Sequence, residues 1–184
     1  MNIGEIIGEA DLLVPNEVPA ADKLIWINAI NQDFFNVVKI PKIAKFSTTA
    51  AMQDYILSDD VRSKNIDLVM VGMFRYMSLD REAVTPAQNA YSFDDSSRTL
   101  TLYPAPYSVL QGVLRYRRIA TTAFTSSNLL ASPDAPEEYH WTYVPALAAH
   151  LANSQDDSVK AANYENEYKA AWNVAAQNYQ GGDS

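Results

Sequence analysis

The chain has 184 residues, no cysteine, and 22 acidic against 14 basic side chains, for a formal charge of −8. With 48% hydrophobic and 20% charged residues it is ordinary for a folded chain of one-domain size, which excludes a disordered or fibrous body. The missing thiols exclude disulfides, thiolate nucleophiles and cysteine-ligated metals, and the acidic balance repels phosphate and argues against nucleic-acid binding.

Residues 1–14, MNIGEIIGEADLLV, carry no basic n-region and no long apolar run, so a soluble protein without a signal peptide is expected. Ile3, Ile6 or Ile7, Ala10 and Leu13 recur at three- and four-residue steps, which predicts a short amphipathic helix ending before Pro15. A second helix is predicted in VPAADKLIWINAINQDFFNVV, closed by Pro41. It places Leu24, Ile27, Ile30, Phe34 and Val38 on one stripe and Asp22, Asn28, Asn31 and Gln32 largely off it.

From about residue 42 to 119 the period changes. KIAKFSTT, MQDYIL, IDLVMVGMFRYM, YSF, RTLTLY and GVLRYRR are short runs rich in β-branched and aromatic residues, separated by turns such as Ser58-Asp59-Asp60. An antiparallel sheet is expected, its clearest hairpin being YSFDDSSRTLTLY. After a Thr/Ser-rich loop the helical period returns. One helix follows Pro136 and is expected to kink at Pro145. The last starts near Asp157 and carries Ala161, Tyr164, Tyr168, Ala171, Ala175 and Tyr179 on its stripe, with Trp172 beside it and a Glu165–Lys169 pair opposite. The expected fold is thus α+β: mainly a helical bundle formed by the N- and C-terminal helices, with an inserted antiparallel β-sheet region. A single domain is expected, with helices in 1–40 and 133–180, the β region in 41–125 and a flexible tail at 181–184.

Candidate chemistry is sparse. Glu137 and His140 form a Glu-x-x-His spacing, but Leu147 stands three residues before the second histidine, His150, so a second half-site is missing. A helical surface or interface histidine is favoured over a metal ligand. No G-x-S-x-G elbow and no glycine-rich phosphate loop occurs. The carboxylate pairs Glu137/Glu138, Asp59/Asp60 and Asp156/Asp157 fall at helix starts or turns, where capping is the favoured reading. Arg115-Tyr116-Arg117-Arg118 is the one basic cluster. It is read as a sheet edge or as inter-subunit charges rather than a nucleic-acid surface. The aromatic residues Tyr164, Tyr168, Trp172 and Tyr179 are read as core first and interface second. No catalytic residue, metal or cofactor is assigned.

The order of several segments is more informative than any one of them. LIWINAINQDFF, the strand TLTLYPAP, the strand VLRYRRIATTAF, the segment Pro136-Glu137-Glu138-Tyr139-His140 and the helix from Asp156 to Ala171 together resemble the head-to-tail connector, or adaptor, proteins of tailed bacteriophages. That resemblance runs over almost the whole chain. It implies a non-enzymatic virion protein of the neck, made in the host cytoplasm. A homo-oligomeric ring of about twelve subunits would dock beneath the portal protein and continue the DNA channel to a tail or nozzle protein, without sequence-specific DNA binding and without a membrane. It also implies that the C-terminal segment reaches the portal, which makes Trp172, Asn178, Tyr179 and Gln180 candidate contacts, with Asn173, Asn178 and Tyr179 candidates for contacts between subunits. The free chain is expected to be a monomer or weak oligomer that forms its ring on the portal. The alternatives are another neck, tail-completion or tail-tube protein, which would be richer in strand, or a small metal-dependent or hydrolytic enzyme with acidic residues converging on His140.

Overall fold

The computed structural model describes residues 1–79 and 88–180. The tail expected at 181–184 lies outside the described residues. Two compact units are present, one formed by Met1–Lys39 with Ala120–Ser184 and the other by Ile40–Ile119. Four α-helices and a curled seven-stranded sheet among the described residues make the chain α+β.

In the helical unit, α1 (Ile3–Leu13) and α2 (Ala20–Val38) lie where the periodicity places them. Asn2 caps α1 in a reciprocal capping box with Glu5, each backbone N–H reaching the other's side chain at 2.9 Å. The next two N–H groups of the first turn, which have no partner within the helix, donate to the carbonyls of Ala131 and Leu129. At the other end of α1, the Lys160 ammonium donates to the Leu13 carbonyl. The α2 stripe Leu24, Ile27, Ile30, Phe34 and Val38 is buried as expected. Lys23 is buried too, its ammonium held at 2.7 and 2.8 Å by the Asp11 carboxylate of α1.

The penultimate helical segment differs from expectation at Pro145. A 3-10 turn over Glu137–Thr142 leads into α3 (Tyr143–Ser154), so Pro145 is the third residue of the α-helix. Its missing N–H falls among those that have no helical partner anyway, and the helix has no need to kink. α3 is buried along most of its length and packs against α1, α2 and α4 (Ser158–Gln180). Its five alanines and leucines from Ala146 to Ala149 and at Leu151 let neighbouring helices approach closely.

Between residues 120 and 136 the chain has no regular structure, yet it is held in place by two asparagines of α2. Asn28 reads the backbone of Phe124 in both directions, donating to its carbonyl at 2.9 Å and accepting from its N–H at 2.8 Å. Three residues on, Asn31 donates to Asp134 and accepts from the Asp134 N–H and the Tyr143 hydroxyl. Asn31 is only 1% exposed.

The sheet unit runs in the order β1-β7-β3-β4-β5-β6-β2, with β1 Pro41–Ser47, β2 Asp54–Ile56, β3 Ile66–Val71, β4 Phe74–Ser78, β5 Ala90–Asp94, β6 Thr99–Tyr103 and β7 Gln111–Arg117. IDLVMVGMFRYM is two strands, turned by Gly72 and Met73. Gly72 has φ +60°, a conformation that favours glycine. The expected hairpin of β5 and β6 is present, with Tyr91 opposite Leu102 and Phe93 opposite Leu100.

The expectation of a wholly antiparallel region is corrected at one place: β4 and β5 pair in parallel, Met77 opposite Ala90 and Ser78 opposite Tyr91. The link between them, residues 79–89, is far longer than a two-residue turn, so nothing forces the chain to double straight back. Inward-facing residues of β2, β3, β4, β5, β6 and β7, among them Tyr55, Val69, Tyr76, Tyr91, Leu100 and Leu114, form one core. The two edge strands also meet over it, with the Phe46 ring of β1 lying 5.4 Å from Tyr55 of β2.

Candidate assembly surface on the helical unit

α4 carries the five C-terminal candidates, and the structure separates them. Trp172 is 3% exposed and belongs to the helical core: its indole N–H donates to Thr142 Oγ1 at 2.9 Å, and its ring meets Phe34 and Tyr168 edge-on. The buried stripe therefore passes through Ala161, Trp172, Ala175 and Ala176 rather than through Ala171, and Trp172 is on it. Asn173, Asn178 and Gln180 are exposed, and Tyr179 is half-buried.

The exposed side of α4 is unusual for so acidic a chain. Asn163, Asn166, Ala170, Asn173, Val174 and Gln177 are all exposed, recur at three- and four-residue steps, and carry no charge, with Glu167 at the margin of the face they form. Surface helices ordinarily place charges there. A face of short amides with Ala and Val is one that another helix can approach without desolvating ions.

Beside this face α2, α3 and α4 enclose a groove of about 430 Å³, lined by Asp33, Asn36, Val37, His150, Glu165, Tyr168, Lys169, Trp172 and Asn173. His150 stacks on Trp26 with ring centroids 5.6 Å apart. Burial holds its pKa below the ordinary 6.5, only partly opposed by Asp33 and Glu165, so the ring is neutral at pH 7. Burial likewise raises the Tyr168 hydroxyl above its ordinary value. Lys169 pairs with Glu165 one turn away, as the spacing predicts.

The other sequence candidates lie apart. His140 is buried, 6% exposed, with Nε2 donating to the Ala135 carbonyl at 2.8 Å, whereas Glu137 is exposed. The histidine expected at a helical surface or interface is thus an internal brace for the turn before α3. Among the described residues no group of three or more His, Asp or Glu side chains is arranged to hold a metal ion. No helix among them is long and apolar enough to cross a membrane.

The basic cluster is likewise not on a sheet edge, because β7 lies between β1 and β3. Tyr116 points into the core and donates to Asp60 at 2.9 Å, Arg115 is exposed, and Arg117 pairs with Asp67 of the neighbouring strand at 3.3 Å. Arg118 follows the strand and donates its backbone N–H to the Ile40 carbonyl. One of the two edges, β1, exposes Lys42 and Lys45, charges that discourage edge-to-edge pairing.

Sequence reasoning missed the groove. Its ingredients, Asp33, His150 and Glu165, are far apart in sequence and share no motif. It also missed Asn31, because a polar residue off an apolar stripe ordinarily faces water.

A family model described as SU10 adaptor protein matches residues 1–183. The chain belongs to the SU10 adaptor family. No curated protein matches its sequence. Family membership makes this adaptor-family chain a phage structural protein, associated with the virion and interacting with other phage structural proteins, and it points away from catalysis.

Proposed function

We propose that this chain is the subunit of a ring in the neck of a tailed phage, docking beneath the portal and continuing the DNA channel toward the tail. The observation that carries the reading is the family match over nearly the whole chain. Two physical features support it. The first is the outer face of α4, rich in amides and small apolar residues, which suits packing against a neighbouring subunit or the portal; Asn173 lies on it, and Asn178, Tyr179 and Gln180 extend the candidate surface around the end of the helix. The second is charge: about twelve chains at −8 each carry on the order of 100 negative charges, and an acidic conduit lets DNA slide without sticking. Trp172 supports the surface from beneath, by fixing α4 against Phe34 and Thr142.

The experiment is ring assembly on purified portal, compared between the natural chain and Ala170→Arg. The substitution places a long charge on the exposed face without entering the core, so it should leave the fold intact and abolish the ring. A variant that assembles as well as the natural chain removes α4 from the interface.

A further inference from the structure

We propose that the groove between α2, α3 and α4 is a receptor for a cationic side chain, an arginine presented by a partner protein chain. The charge balance comes first. Asp33 and Glu165 place two carboxylates at the groove; Lys169 forms its ion pair with Glu165 and is drawn to Asp33 only at longer range, while Asp33 makes no ion pair among the described residues. Among the described residues its side chain accepts one hydrogen bond, from the Asn36 amide at 3.5 Å, the outer limit of such a bond. His150 adds no positive charge at neutral pH, so the groove is left with one net negative charge.

The walls then select the kind of cation. Half-buried Tyr168 lines the groove and offers aromatic surface beside the carboxylates, with the buried Trp172 ring 4.8 Å behind it as its support. A guanidinium is planar and weakly hydrated. It stacks on aromatic faces while its N–H fork bonds a carboxylate, a combination a lysine ammonium satisfies less well. Divalent metals fit poorly, since the acidic groups and His150 do not converge as ligands among the described residues. The volume, about 430 Å³, admits a side chain with part of its backbone.

The choice of a protein as the source rests on the adaptor reading. Asn173 belongs both to the groove and to the uncharged face of α4, so a chain packed on that face passes over the groove mouth.

The test titrates the full chain with acetyl-Ala-Arg-Ala-amide, with acetyl-Ala-Gln-Ala-amide as control, and follows the NMR signals of the Trp172 indole N–H and the His150 ring. Saturable shifts with the arginine peptide alone are expected, weakened by added salt and by about tenfold in Asp33→Asn. Glu165→Gln, at a half-buried position of α4, is a second variant and should weaken binding further by leaving Lys169 facing the groove without its partner. Equal shifts with the glutamine peptide, or unchanged affinity in both variants, overturn the site.

Asp33→Asn is then tested for docking on portal rings. Loss of docking by the variant alone supports the assignment of the occupant. Intact docking overturns that assignment and leaves the adaptor reading standing. If the natural chain itself does not dock, the adaptor reading and the partner assignment fall together, while the peptide titration still decides whether the groove binds a cation.

Discussion

Asn31 shows how much one side chain can organise. It lies on the polar side of α2 and is nevertheless buried, because the 120–136 segment folds over it and brings Asp134 and the Tyr143 hydroxyl to its amide. Asn31→Ala removes that amide from both, and the loss of its several buried hydrogen bonds puts the cost at about 2–4 kcal/mol, read from urea unfolding. Titration provides a second test. Burial alone would raise the pKa of Asp134, but hydrogen bonds from Thr122, Asn31 and Thr121 more than offset it and hold the group below 3.8. Asp60 behaves in the same way, with Lys42, Ser58 and Tyr116 as donors. His150 is lowered below 6.5 by burial. In all three the unfolded chain binds the extra proton, so each contribution is full above the ordinary value and is lost as pH falls through the folded one. Stability should therefore decline in two stages, first below about pH 6.5 and again below about pH 4. His150→Phe, which keeps a ring against Trp26, should remove the first stage. Asp134→Asn should shrink the second. A urea midpoint that is flat from pH 7 to 5 in the natural chain contradicts the His150 account.

At the scale of elements, the sheet closes over a glycine. Phe46 stands directly opposite Gly112 in the pairing of β1 with β7, and a Cβ added at Gly112 would collide with the Phe46 ring. Gly112→Ala must push that ring off its seat against Tyr55, an overpacking cost of about 1–3 kcal/mol. In a Phe46→Ala background the same change should cost far less, and a double-mutant cycle measures the difference. Equal costs in both backgrounds would separate Gly112 from the ring. Nothing in KIAKFS or GVLRYRR announces this contact, since it depends on register between strands distant in sequence. What was legible was local: the periods of α1, α2 and α4 and the β5–β6 hairpin follow from residue spacing and turn chemistry. The phase of α4 was misread because both Ala171 and Trp172 are compatible steps from Tyr168, and only the packing against Phe34 chooses between them. The split of IDLVMVGMFRYM was hidden because its apolar run continues through the Gly72 turn.

At the scale of the whole molecule, the family was legible from the order of segments, whereas the groove required three helices to be placed together. The Asn28 and Asn31 pair shows where the two levels meet. Both lie in LIWINAINQDFF, one of the segments that carry the resemblance, and the structure gives them a physical task, fastening Phe124 and Asp134 to α2. The most direct test is electron microscopy, with two-dimensional classification, of the protein alone and mixed with portal rings. The account predicts that the protein by itself gives small particles and that the mixture shows a rotationally symmetric collar seated on the portal. Particles that never associate with any portal, at concentrations where both are intact, would contradict it.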